Sequence, residues 1–194
     1  MLRFIGVYDY TVILTYLSLI SGITGMIFAT REQFTAAVLC VLISGVCDAF
    51  DGMVARSKKN RTEDEKAFGI QLDSLCDVVC FGVVPGFICY QMGVRGIFGL
   101  ICVFGYGLCA VIRLAFFNVQ EAKRQQTESG SNKFYRGLPV TAISMIFPLV
   151  YLLRNLVAQK VFVLMLHIML ALTGFLFILD FKVKKPDLQK MLHL

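Results

Sequence analysis

The sequence predicts an all-α, polytopic membrane protein, a bundle of six transmembrane helices forming one integral-membrane domain over residues 1–194. Three observations predict it. Of 194 residues, 57% are hydrophobic and 16% charged, and the mean hydropathy is +0.72; soluble domains run nearer half apolar and a quarter charged. Six apolar stretches each approach the ~20 residues that a helix needs to cross a ~30 Å hydrocarbon core. Lysine and arginine gather at one set of ends of those stretches. A small soluble globule leaves too much of its surface wet to hide this apolar share. A soluble enzyme, a disordered chain and a secreted disulfide scaffold are excluded.

The six spans fall at 11–29, 34–56, 67–90, 97–117, 137–153 and 160–181. Polar linkers separate them, and Thr127–Asn132 has the composition of a flexible loop. Trp is absent, so the 7 Tyr and 17 Phe must supply any interfacial aromatics. Fifteen Lys and Arg lie at the ends shared by the termini and the second and fourth loops, against four (Arg31, Arg95, Arg154 and Lys160) at the other ends. The positive-inside rule puts the first set in the cytoplasm. The net charge of +6 is thereby a membrane-surface feature and implies no nucleic-acid partner. The 7 cysteines all sit in apolar stretches, and their odd number argues against a disulfide framework. Cys76 and Cys80 share a helix face but have no histidine nearby, so they read as small packing residues.

Four carboxylates stand out: Asp48 and Asp51 at the end of span two, Asp73 and Asp77 at the start of span three. Charge at such depth is costly unless it is paired or faces a wet cavity, so it marks a functional site. At ~100° per residue, Asp48, Asp51, Gly52, Ala55 and Arg56 share one face of span two, and Gly69, Asp73 and Asp77 form a stripe on span three. The stripes can face each other across a short loop. Four neighbouring carboxylates repel unless cations lie between them. Oxygen ligands without His or Cys suit Mg²⁺, Mn²⁺ or Ca²⁺ rather than zinc. Two such ions between facing helices are a usual arrangement for displacement at phosphorus. The small residues Gly52, Ala55 and Gly69 either let a diphosphate approach the backbone or pack the helices closely. Arg56 adds a forked cation.

Written out, the stretch is Asp48-x2-Asp51-Gly52-x2-Ala55-Arg56-x12-Gly69-x3-Asp73-x3-Asp77. It resembles the CDP-alcohol phosphatidyltransferase signature, D-x2-D-G-x2-A-R-x8-G-x3-D-x3-D, with four extra residues in the charged segment Ser57–Phe68. Leu72–Gly86 (LDSLCDVVCFGVVPG), Arg113-Leu-Ala-Phe-Phe-Asn118 and Tyr135-Arg-Gly-Leu-Pro139 are similar to blocks of that family's phosphatidylserine synthase branch. Thr15 and Gly22 match its opening block, whereas Val12 and Ser18 stand where it has Asn, and Thr141 where a second Pro is common.

The resemblance implies a six-helix fold, a homodimer, and a site open to the cytoplasm and the bilayer of the cell membrane. Its substrates would be CDP-diacylglycerol and L-serine, and two Mg²⁺ or Mn²⁺ ions would bridge the diphosphate. By motif position, Asp48, Asp51, Asp73 and Asp77 would hold metal, with Asp77 also the general base. Thr15, Asp48, Gly52, Ala55, Arg56, Gly69 and Asp73 would contact the CDP moiety. Arg113, Asn118 and Arg136 would meet the acceptor.

The same chemistry on glycerol 3-phosphate or an inositol phosphate would call for more cations than Arg113, Lys133 and Arg136 around the pocket. A membrane cation transporter would need polar residues through the whole depth, and the outer halves of spans two and three carry few. The charge asymmetry gives a direct test. Single cysteines at positions 2 and 192, in a background without the native 7, should both label from the cytoplasmic side; labelling of either from outside intact cells contradicts this topology.

Overall fold

The computed structural model describes residues 6–8, 10–58, 62–127 and 134–184. The chain forms α1 (Ile13–Thr30), entered through a 3-10 turn at Tyr10–Val12, then α2 (Phe34–Ser57) and α3 (Glu63–Asp77). A π-helical stretch at Val78–Val83 leads without a break into α4 (Val84–Gln91), so residues 63–91 make one rod. The long α5 (Gly96–Thr127) follows, then α6 (Ile143–Leu152) between two 3-10 turns, and α7 (Gln159–Ile178). Strands β1 (Phe134–Arg136) and β2 (Lys182–Lys184) pair antiparallel, with Tyr135 opposite Val183. That ribbon is a small addition to an otherwise helical bundle.

Five helices are long and apolar enough to cross a membrane: 10–30, 34–55, 63–91, 96–122 and 159–178. The expected fifth span is present as the shorter apolar helix Val140–Asn155. Pro148 lies within it, and its far end is fixed where Arg154 donates to Tyr151 Oη at 2.8 Å. Large apolar side chains such as Phe98, Phe104, Leu149 and Leu164 cover the outside of the bundle. Such continuous apolar cover suits lipid rather than water.

Two boundaries differ from the sequence expectation, each for a local reason. The charged segment before span three is partly helical. Thr62 caps α3 by accepting from Glu65 N at 3.1 Å, and the Glu65 carboxylate accepts from Thr62 N at 3.0 Å. This capping box, with Glu63, Asp64 and Glu65 at the positive end of the helix dipole, starts α3 at Glu63. Lys58 Nζ reaches Glu65 Oε1 at 3.1 Å and ties the end of α2 to the same turn. At the other boundary, α5 runs on to Thr127, because the polar residues after Asn118 include the good helix formers Gln, Glu, Ala, Lys and Arg.

Close helix approach uses glycines. A Cβ on Gly45 would collide with Ser144 Oγ, so α2 and α6 meet where only hydrogen fits. A Cβ on Gly22 would lie 3.0 Å from Cys80 Sγ, which brings α1 against the π stretch. The π stretch has its own cause. Pro85 lacks an N–H, so the Phe81 carbonyl loses its α-helical donor. Tyr106 Oη, fully buried on α5, donates to Phe81 O in its place. Tyr106→Phe should leave that carbonyl unpaired and cost about 1–3 kcal/mol. Unfolding of the purified protein in detergent measures this, and an unchanged midpoint contradicts the role given to Tyr106.

Candidate metal and phosphate site

The acid cluster forms between the second half of α2 and the last turns of α3. One carboxylate oxygen each from Asp48, Asp73 and Asp77 lies within 4.8 Å of the other two. Asp77 is 8% exposed, while Asp48 and Asp73 are half-buried. Asp73 and Asp77 meet because they are one turn apart on α3, and Asp48 arrives from the antiparallel α2. Asp51 is 9% exposed and in electrostatic contact with Asp48 and Asp73. Its Oδ2 accepts a hydrogen bond from Thr15 Oγ1 on α1 at 3.1 Å. Among the described side chains, no Lys, Arg or His forms an ion pair with Asp48, Asp73 or Asp77. Three converging carboxylates, without a protein cation between them, fit a hard divalent ion.

The structure therefore brings together Thr15, Asp48, Asp51, Asp73 and Asp77. Gly52 and Ala55 follow on α2 and Gly69 precedes on α3, all half-buried. Arg56 is on α2 and Arg136 on β1, and the side chains of both lie outside the described residues. The two acceptor candidates on α5 part company. Asn118 Oδ1 accepts from Ser74 Oγ at 2.9 Å, which holds it beside Asp73. Arg113 is five residues away, about 140° around the helix and about 7.5 Å along it. It is 8% exposed, donates through Nε to Leu138 O at 3.3 Å, and lies 5.9 Å from the centre of the Phe117 ring.

Sequence reasoning missed several residues. Ser74 was visible inside the LDSL block, one position past Asp73. Asp180, a lone carboxylate at the end of the last apolar stretch, lines the same cavity as Arg113. Ser18, Ser44 and Cys80 form a junction one turn deeper than Thr15, Asp48 and Asp77. The two serine Oγ atoms are 2.7 Å apart and share a hydrogen bond in which one hydroxyl donates to the other; the donating proton's alternative is the facing carbonyl, Ser44 O at 3.1 Å from Ser18 Oγ or Ser18 O at 2.9 Å from Ser44 Oγ. Cys80 Sγ donates to Ser18 O at 3.5 Å. Hydroxyls bonding across helices act as local glue in a membrane. No sequence signal marked the three as partners, because they lie on three different helices.

Apolar helices that carry a cluster of buried and half-buried carboxylates define a membrane-embedded site able to hold a metal ion. Comparison with known proteins makes this specific. Residues 10–179 match the model of the CDP-alcohol phosphatidyltransferase family. The chain belongs to that family. It is 32% identical over 164 residues to the CDP-diacylglycerol–serine O-phosphatidyltransferase of Saccharomyces cerevisiae, an alignment covering 80% of this chain and 57% of the relative. It is 33% identical over 136 residues to the protein of that name from Mycobacterium tuberculosis, covering 69% of this chain and 46% of the relative. For the Helicobacter pylori protein of that name the figures are 32% over 150 residues, with 76% and 59% covered. The chain thus spans about half the length of the curated relatives it matches.

The serine junction yields a prediction. Ser18→Ala, Ser44→Ala and the double variant, unfolded in detergent, should show non-additive losses, with a coupling of about 0.6–1.7 kcal/mol. Additive losses contradict a bond made between the two side chains.

Proposed function

We propose that this protein transfers the phosphatidyl group of CDP-diacylglycerol to the hydroxyl of L-serine, releasing CMP and forming phosphatidylserine. The observation that carries the reading is the convergence of Asp48, Asp73 and Asp77 at one end of a membrane bundle of this family. The choice of serine is supported by the names of the relatives and by the contact between Ser74 and Asn118, which joins two blocks of the serine branch. The protein acts as a homodimer in the cell membrane, with both termini and the site on the cytoplasmic side.

The chemistry asks three things of the chain. A diphosphate must be held against carboxylates that would otherwise repel it. Asp48, Asp51, Asp73 and Asp77 would hold two Mg²⁺ or Mn²⁺ ions, which, when bound, neutralise the phosphates and stabilise the leaving CMP. The CDP moiety needs donors and a gap between helices, for which Thr15, Gly52, Ala55, Arg56 and Gly69 are placed on α1, α2 and α3. The serine hydroxyl must lose its proton as it attacks. Asp77, the most buried of the four carboxylates, is the base. The serine oxygen bonds to the β-phosphorus, the bond from that phosphorus to the bridging oxygen breaks, and the electron pair leaves with CMP. Asn118, held by Ser74, and the two arginines Arg113 and Arg136 orient the acceptor.

Purified protein should release CMP from CDP-diacylglycerol with serine and not with glycerol 3-phosphate or inositol phosphate. It should stop in excess chelator and recover with Mg²⁺ or Mn²⁺. Asp77→Asn keeps shape and one ligand oxygen but loses the base, so kcat should fall about 10²–10⁴-fold while CDP-lipid binding stays within about tenfold, a far smaller change than the loss of the base. Asp48→Asn should lose both. Near-normal turnover by Asp77→Asn at saturating serine removes it as the base, and full activity in chelator removes the metal mechanism.

A further inference from the structure

At the end of the bundle remote from the carboxylates, a polar junction joins α2 to α6. Thr35 opens α2, about 20 Å before Asp48 at 1.5 Å of rise per residue. Its Oγ1 lies 2.9 Å from Tyr151 Oη at the end of α6. Tyr151 Oη accepts from Arg154 Nη1 at 2.8 Å. The Arg154 guanidinium also lies over two rings, 5.4 Å from the centre of Phe34 and 5.7 Å from that of Tyr151. Tyr151 meets the buried Phe162 of α7 edge-on, with 6.3 Å between ring centres. Arg154 is therefore held in one place, half-buried in the 3-10 turn Leu153–Asn155.

What this junction lacks is an anion. Among the described residues, Arg154 makes no ion pair, and its partners are Tyr151 and Phe34 alone. Glu32, a carboxylate in the connection just before α2, is exposed and makes no ion pair either. A guanidinium carries five N–H donors in a rigid fork, and one of them is engaged. Tyr151 Oη accepts from Arg154, so its own proton is available to Thr35 Oγ1, and the Thr35 proton can then turn outward. Forked donors beside a hydroxyl match the two free oxygens of a phosphodiester. The surface leading away from Thr35 is apolar. Leu39 and Ile43, one and two turns further along the same face of α2, are 51% and 52% exposed. Donors at the end of a membrane helix, with an apolar strip running from them toward its middle, have the form of a phospholipid: headgroup at the end, acyl chain along the strip. No carboxylate is paired with Arg154 to receive an ammonium, which selects a headgroup of net negative charge over a zwitterionic one.

We infer that Arg154 and Thr35 form a binding site for the phosphate of an anionic phospholipid whose acyl chain lies along Leu39 and Ile43. The lipid held there braces α2 against α6 and is not a substrate, since the carboxylates are about 20 Å away along α2. The site is independent of which alcohol accepts the phosphatidyl group.

Thermal unfolding of the purified protein in detergent tests this, with dioleoyl phosphatidylglycerol, dioleoyl phosphatidylcholine or inorganic phosphate added. A ligand that binds only the folded state raises the midpoint in proportion to its occupancy. Phosphatidylglycerol should raise the midpoint of the wild type, and the other two at equal concentration should raise it far less. The phosphatidylglycerol concentration for a half-maximal shift should increase about tenfold or more in Arg154→Gln, the range of lost charge-assisted hydrogen bonds. It should increase severalfold in Arg154→Lys, which keeps the charge without the fork. Lys160→Gln removes an exposed cation at the same end and should respond as the wild type does. Size-exclusion elution without lipid reports whether each variant is folded; if Arg154→Gln is not, Arg154→Lys carries the comparison. An equal shift with phosphatidylcholine or with inorganic phosphate overturns the site. So does a wild-type response in both Arg154 variants, or an equal loss in Lys160→Gln, which would make the effect one of general surface charge.

Discussion

Mutual repulsion among Asp48, Asp51, Asp73 and Asp77 is the constraint on which the rest of the structure depends. Placed in water, four carboxylates would move apart. Here they are fixed on packed apolar helices, where separation would require the bundle to open. The scaffold opposes repulsion at two levels. Thr15 holds Asp51 directly. One turn deeper, Ser18, Ser44 and Cys80 fasten α1, α2 and the π stretch to one another. Each such bond is worth little alone, about 0.6 kcal/mol on average between membrane helices. Their value lies in position, because the junction sits directly beneath the carboxylates and sets how closely the three helices approach. The remaining repulsion is what a hard divalent ion placed among these oxygens would relieve.

The π stretch immediately after Asp77 belongs to the same design. Pro85 and Tyr106 lie about two helical turns from the acid cluster, yet they determine where the rod departs from α-helical winding. A π turn widens the helix by a residue and redirects the side chains that follow, and such turns are frequent at functional sites. In this chain it lets Cys80 contact Ser18 while Gly82 packs against Ala110 on α5. The single rod therefore carries the carboxylates just before the π stretch and the α5 packing within it.

Much of this was legible in the sequence because it is periodic. Apolar length revealed the spans, and helical spacing put Asp73 and Asp77 on one face. The eight motif positions from Asp48 to Asp77 pointed to the family and tolerate four extra residues in a spacer whose second half, from Glu63, is the helical start of α3. What the sequence left hidden depends on contacts between helices remote in the chain. Nothing local joins Ser74 to Asn118, Ser18 to Ser44, or Arg113 to the Leu138 carbonyl. The short Val140–Asn155 helix was also hidden in part, since hydropathy counts apolar residues and does not register where prolines and 3-10 turns shorten a span.

The central claim is that the carboxylates of α2 and α3 form one divalent-ion site. Titration of the purified protein with Mn²⁺, followed by electron paramagnetic resonance, tests it without reference to turnover. The account predicts saturable binding of two ions per chain in the wild type and a marked loss in Asp73→Asn, which keeps the side-chain shape but removes the charge between Asp48 and Asp77. Absence of saturable Mn²⁺ binding, or binding unchanged in Asp73→Asn, would contradict it.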